Sequence, residues 1–474
     1  MKSGAFSKNL FCFLVIVFVM WGTVVLAAEL RVPSQYSGIQ EAINAAASGD
    51  FVLVANGTYT GNLLVEKAIT IKSENGADRC VIDCAGSGVG VTFRGAGTNG
   101  AVLSGFKITG GNAASGGAIA CYQASPIISD CVMENNVASY GGGLFVKNVS
   151  ALDPSPMLIS CIIANNSATK SGGGVFMHTF ASPTFYNCLI VGNSASQYGG
   201  AFYCYFNCAP DIIHCTVSDN TSGSGGSGIF CFSCSNPYPV VTNSIVWGNV
   251  ATTGPEIYLY NSTIDITHSA FNPGAGTNNI QVVGTSSSVA EDGNIYEDPA
   301  FVGKGDYHLS PDSPCIDTGT DQIELPEFDI EGDPRVLGEA PDMGADEFLE
   351  EEEVILVEID IKPGCSENKI NLNSRVLLPV AVKSTKDFDS RWIDPSTVEF
   401  AGARPVWRIR YDIDRDRDKD MVFFFKIKQL NLTVDSTEAT LTGMTRYGLA
   451  FVGTDKVTVI KPKFKAPFWR IDRR

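Results

Sequence analysis

Apolar and polar positions recur in one order along the middle of the chain. The segments PIISDCVMENN, PMLISCIIANN, PTFYNCLIVGN, PDIIHCTVSDN and PVVTNSIVWGN, beginning at Pro126, Pro156, Pro183, Pro210 and Pro239, align without gaps. They share a column of Cys131, Cys161, Cys188, Cys215 and Ser244, spaced by 30, 27, 27 and 29 residues, and five residues on a column of Asn136, Asn166, Asn193, Asn220 and Asn249. A weaker copy, LSGFKITGGN, starts at Leu103. Each unit also carries glycines followed by a short apolar strand, as in GGAIACY, GGLFVKN, GGVFMHT, GGAFYCY and SGIFCFS. Two or three short strands per repeat of roughly 27 residues make one coil of a β-solenoid, where each coil buries its faces only against its neighbours. Asparagines at one corner can hydrogen-bond from coil to coil, and cysteine is a small apolar residue suited to a tapered interior.

Side chains alternate in direction along a strand. In the strands after the glycines, Ala118, Leu144, Val175, Ala201, Ile229 and Ile257 are expected inside, as is the column two residues on: Ala120, Val146, Met177, Tyr203, Cys231 and Leu259. The column between them, Ile119, Phe145, Phe176, Phe202, Phe230 and Tyr258, is then expected outside. This places Phe145, Phe176, Phe202, Phe230 and Tyr258 in an outward aromatic ladder at a coil spacing of ~4.8 Å, a platform for the sugar rings of a polysaccharide or for a docked partner. The alternatives are that the same column is core, or that another part of the chain covers it. Ahead of the coils, Ile39, Ala42, Ile43 and Ala46 share a helical face behind Ser37 as N-cap with Gln40 three residues later, the pattern of a capping helix.

The ends read differently. Lys2 and Lys8 precede an uncharged stretch from Leu10 to Ala28, so residues 1–28 are expected to be a secretory signal, with an uncleaved anchor as the one route to the membrane. Export implies a secreted, periplasmic or cell-surface location, and thirteen cysteines remain after Cys12. Cys204 with Cys208, or Cys231 with Cys234, has the spacing of a metal pair, against the reading of buried thiols. Residues 29–348 hold the solenoid, the acidic linker 349–356 contains Glu350 to Glu353, and residues 357–462 read as a small β-sandwich of short strands such as VLLPVAV and MVFFFKI. A basic tail, 463–474, closes the chain. Within the sandwich Asp412, Asp414, Asp416, Asp418 and Asp420 alternate along YDIDRDRDKD. Converging carboxylates suit weak calcium binding, whereas Arg415 and Arg417 offer internal positive partners and disfavour a tight turn. No other cofactor is expected.

The stretch VPSQYSGIQEAINAAASGDFVLVANGTYTG, the coils, and the closing GDYHLSPDSPCIDTG and DIEGDPRVLGEAPDMGADEF resemble exported bacterial right-handed parallel β-helix proteins of the pectin-lyase-like superfamily, over about residues 30 to 348. The repeats are also similar to those of polymorphic outer-membrane adhesins. EIDIKPG, INLNSRVLLPVAV and EATLTGMT resemble a C-terminal module common in exported bacterial proteins, whose relatives carry glycines between the acids of a calcium loop. The resemblance implies an all-β chain, a right-handed parallel β-helix followed by a small β-sandwich.

Charge and composition then narrow the function. The 34 basic and 51 acidic residues give a net charge of −17, which argues against a nucleic-acid partner. Lyases and galacturonases on this fold gather Asp, Arg, Lys or His on an outer sheet face. Here a paired Asp with Gly-His-Gly is absent, His178, His214, His268 and His308 stand in different settings, and Arg94 is the sole arginine between Arg79 and Arg335. No catalytic residue can be named. The expectation is an exported, non-catalytic β-helix protein of carbohydrate or cell-surface binding, with a polysaccharide lyase or hydrolase as the rival and a surface adhesin or stalk as the third reading.

Overall fold

The computed structural model of the 474-residue chain describes residues 27–460 apart from 154, 273–279, 285–287, 324–326, 350–353, 366, 387 and 448. The expected signal segment up to residue 26, Glu350 to Glu353 and the basic tail lie outside the described residues. The chain forms two compact units, residues 1–349 and 350–474.

The first unit is a parallel β-solenoid with four sheets of eleven, nine, nine and six strands. One coil shows the plan. Met157–Ile159 joins the eleven-stranded first sheet, Ile162–Ala164 the second, Ser167–Ser171 the short six-stranded sheet, and Val175–His178 the third. Each strand pairs in parallel with its counterpart one coil later, which sets Leu158 against Phe185, Ile163 against Ile190 and Met177 against Cys204. These inward residues are fully buried and form one continuous core.

The corners explain the polar columns. Between first and second sheets, Asp130, Ser160, Asn187, His214, Asn243 and His268 all have φ of 46–53°. Just before the asparagine column, Asn135, Asn165, Gly192, Asp219 and Gly248 have φ of 56–75°. Asn, Asp and Gly tolerate this left-handed region best, so the doublets NN, NN, GN, DN and GN combine a residue that turns the corner with one that bonds across coils. The backbone N–H of Asn136 donates to Asn166 Oδ1 at 3.0 Å, that of Asn166 to Asn193 at 3.0 Å, that of Asn193 to Asn220 at 2.9 Å and that of Asn220 to Asn249 at 3.0 Å. The column ends on buried Glu256, whose Oε1 accepts from the Asn249 backbone N–H at 3.0 Å and side chain at 2.6 Å. Burial pushes the Glu256 carboxyl up to about 7.

Cysteine fills the interior. Cys131, Cys161, Cys188 and Cys215 are fully buried, and Ser244 continues the column by accepting the Cys215 N–H at 3.0 Å. All thirteen described cysteines are free thiols and only Cys365 is exposed, so Cys204, Cys208, Cys231 and Cys234 belong to the packed stack. The capping helix is Ile39–Ala45 with Ile39, Ala42 and Ile43 buried, but its N-cap is Gly38. Ser37 instead donates its hydroxyl to Glu41 at 2.8 Å, and Gln40 Oε1 accepts the Leu64 N–H at 2.7 Å.

Beyond the coils, the hairpin of Phe301–Gly303 and Asp306–Leu309 begins a segment that returns along the outer side of the second sheet. The Ala345 N–H donates to Thr216 Oγ1 at 3.0 Å, and Tyr307 donates its hydroxyl to Asp219 at 2.9 Å. Arg335, only 2% exposed, pairs with buried Glu347 and reaches Asn187 Oδ1 at 3.3 Å. A guanidinium placed there satisfies several carbonyls at once, which anchors this segment.

The second unit holds two four-stranded sheets, one antiparallel throughout. Val380, Phe423 and Phe425 from one and Leu441, Phe451 and Phe400 from the other share a single core, as a small sandwich requires.

Candidate functional site

The third sheet supplies the most distinctive surface. Its register sets Leu144, Val175, Phe202, Ile229 and Ile257 in one inward column, all buried. Phe145, Phe176, Tyr203, Phe230 and Tyr258 form the outward column beside it. The ladder expected outside is there, with one correction: Phe202 points into the core, 5.2 Å from Phe185, and Tyr203 takes its place. The expected columns shift by one residue in that coil and also in the coil of Ile119, so that Ile119, expected outside, joins the core with Cys121 and Cys204 while Ala120 and Tyr203, expected inside, face out.

The cause is the corner before the strand. Three small residues, Gly141–Gly143, Gly172–Gly174 and Gly199–Ala201, stack there, and Gly174 N–H donates to Gly200 at 2.9 Å. A Cβ at Gly173 would meet Gly200 O and Ser194 O at 2.5 Å, so the backbones approach too closely for a side chain. Aligning the last residue of each triplet, so that Ala201 stands with Gly143 and Gly174, rather than the glycine pair nearest each strand, puts Tyr203 beside Phe176. That signal was in the sequence.

Parallel in-register strands stack these rings face to face. The centroids of Phe145 and Phe176 are 5.7 Å apart, Phe176 and Tyr203 4.9 Å, Tyr203 and Phe230 4.9 Å, and Phe230 and Tyr258 5.0 Å, with interplanar angles of 6–15°. The ladder faces outward yet is closed off, since Phe176 is 5% exposed and Phe230 4%. Its ring faces are used on one another, so it is a foundation rather than an open platform. Accessible groups come from its flanks. Tyr140 meets Phe176 edge-on at 4.9 Å, Tyr198 lies 4.6 Å from Phe230 and is 38% exposed, and Tyr205 stacks on Phe232 at 5.6 Å.

These flanks enclose a cleft of about 470 Å³ lined by Tyr140, Tyr198, Tyr205, Lys147, His178 and Gln197 around the ladder, with no carboxylate among the lining residues. Thr179 Oγ1 is 2.6 Å from His178 Nδ1. Partial burial and then the Lys147 charge lower the His178 pKa, which keeps the ring neutral near pH 7. Burial, chiefly, raises that of Tyr203. The coils have few cations but do not scatter them. Between residues 94 and 303 the basic residues are Arg94, Lys107, Lys147 and Lys170. Lys107 is paired with Glu134 at 2.7 Å on the second sheet, while Lys170 lies 5.0 Å from the Tyr140 ring and Arg94 5.9 Å from that of Tyr122. An acidic chain thus keeps an aromatic, cationic strip on one face.

In the second unit, Asp412, Asp414 and Asp420 bring one carboxylate oxygen each within 4.8 Å of the others, whereas Asp416 and Asp418 are not part of that group. Asp420 already accepts the Ser384 N–H at 2.9 Å and the Ile413 N–H at 2.8 Å. Arg415 and Arg417 have φ of 68° and 86°, so these arginines adopt the left-handed turn they were expected to disfavour. The Asp412 carboxylate, accepting the Arg415 and Arg417 N–H groups at 2.7 and 3.3 Å, holds it there.

Compared with protein-family models and with curated proteins, the chain matches none.

Proposed function

We propose that this is an exported or cell-surface solenoid of the pectin-lyase-like kind, whose aromatic cleft on the third sheet binds an extended polysaccharide without cleaving it. The observation that carries the reading is the combination of Tyr140, Tyr198 and Tyr205 with Lys147 over a rigid stack of rings. Tyrosines at a cleft edge give large apolar area and a polar handle at low entropic cost, so several weak contacts along one chain add up. Hydrolysis by a carboxylate pair finds no acids among the lining residues.

A uronate lyase is the second reading, because His178 and Lys147 line the same cleft. A neutral imidazole can take a proton while an ammonium neutralises a substrate carboxylate.

Binding to immobilised pectate, alginate and xylan tests the first reading, with product formation followed by the ultraviolet absorbance of unsaturated ends. Tyr198→Ala and Lys147→Ala are expected to weaken binding several-fold with little change in melting temperature. Phe176→Ala should cost about 3 kcal/mol of stability, because its ring is enclosed. Parent-like binding by both cleft variants would sink the proposal, and turnover lost in His178→Ala would establish the lyase.

A further inference from the structure

The segment 301–348 builds a second concave site, a cleft of about 570 Å³ over the second sheet. Its floor is Ile162, Leu189 and Thr216, register partners in three successive coils. Its walls come from the hairpin at Asp306 to His308 and from the stretches around Glu331 and Asp346. Three separate parts of the chain therefore converge. His308, Glu331 and Asp346 each place one imidazole nitrogen or carboxylate oxygen within 4.8 Å of the other two.

The surroundings hold these groups in position. Asp306 Oδ1 lies 2.5 Å from His308 Nδ1, and the other ring nitrogen, Nε2, lies 3.0 Å from Glu331 Oε1. Buried Asp329 accepts the Glu331 N–H at 2.9 Å through one oxygen and the N–H of Glu347, next to Asp346, at 2.9 Å through the other. Arg335 Nη2 donates to the Asp346 carbonyl at 3.0 Å, while its guanidinium is committed to Glu347. Asp306, Glu331 and Asp346 are thus left with one imidazole between them and, among the described residues, no Lys or Arg in an ion pair with any of the three.

An imidazole fixed through one nitrogen by a carboxylate, with a second carboxylate at its other nitrogen and a third within reach, suits metal binding, because metal-binding histidines commonly donate one ring N–H to a carboxylate. Nitrogen in the set favours a first-row divalent transition ion such as zinc over calcium or magnesium. We infer that His308 Nε2, Glu331 and Asp346 bind one divalent transition cation, with Asp306 as a positioning residue. Three protein ligands leave a fourth position for water or an anionic ligand in the cleft. Bound metal joins the hairpin to the later stretches of the returning segment around Glu331 and Asp346, so it stabilises the fold as well.

The test uses the full chain carrying Cys365→Ser, which removes the exposed thiol, stripped of metal and titrated with Zn²⁺ by calorimetry while melting is followed. One equivalent is expected to bind with a micromolar or lower dissociation constant and to raise the melting temperature. Glu331→Gln and His308→Ala should each weaken binding at least about tenfold, and Asp306→Asn about tenfold. Asp412→Asn should leave binding unchanged. The Glu331 side chain is 53% exposed, so its variant keeps the fold even where His308→Ala does not. Failure of the parent chain to bind zinc, or unchanged affinity in folded Glu331→Gln, would overturn the site.

Discussion

Single residues here are governed by what burial does to them. Glu256 ends the asparagine column with its carboxyl held protonated by burial up to about pH 7. Its ordinary value is 4.5, so between pH 4.5 and 7 the unfolded chain loses a proton that the folded chain keeps. Stability must fall as pH rises through that window and level off above it. Glu256→Gln retains an oxygen to accept the two Asn249 bonds and has no proton to lose. It should match the parent at pH 4 and exceed it at pH 8 by on the order of 3 kcal/mol, read from urea melts at both values; a variant gain that is the same at both pH values would contradict a protonated Glu256. The same scale shows where sequence reading slips. Strand alternation correctly sends Phe145 and Phe176 outward, but counting Ala201 as the first strand residue, when it fills the corner place of Gly174, exchanges Tyr203 for Phe202. Nor does alternation reveal that an outward ring can be closed off by its own stacked neighbours, because that depends on exact in-register pairing between coils.

At the scale of the element, the asparagine column and its corners were legible because they repeat, and repetition converts a weak local preference into a register. Asn193 shows the energetic meaning. Its side chain accepts from Asn166 N–H and Nδ2, both at 3.0 Å, and donates to Ile163 O at 2.8 Å and Asn220 Oδ1 at 2.9 Å. Asn193→Ala leaves those buried groups without their partner, and an unsatisfied buried polar group costs about 1–3 kcal/mol. A loss of at least about 3 kcal/mol in equilibrium unfolding is expected, with Asn193→Asp at least as damaging since a carboxylate cannot donate. A change under about 1 kcal/mol would mean that water replaces the column. By contrast, the returning segment 301–348 has no repeat to betray it. His308, Glu331 and Asp346 are 23 and 15 residues apart, and only the path over Thr216 and Asp219 brings them together.

Across the whole molecule the thiols report how the stack opens. Twelve of the thirteen described cysteines are buried, distributed from Cys80 near the capping helix to Cys315 in the returning segment, and Cys365 alone is exposed. Burial raises the pKa of Cys80 to about 12 and of Cys131, Cys161 and Cys188 well above the ordinary value, so these groups present neither surface nor thiolate to a reagent. Each coil is held only by its two neighbours, and central coils therefore lose protection only when the stack on one side has already opened. Native labelling of the described cysteines should modify Cys365 at once. In moderate urea Cys80 and Cys84, in the first coils, should follow, and Cys161 and Cys188 should react last, at rates that match global unfolding. Mass spectrometry of labelled peptides resolves the order. Simultaneous reaction of all twelve would show that the solenoid unfolds as one cooperative block, and rapid native labelling of the Cys131 to Cys215 column would be incompatible with a closed interior.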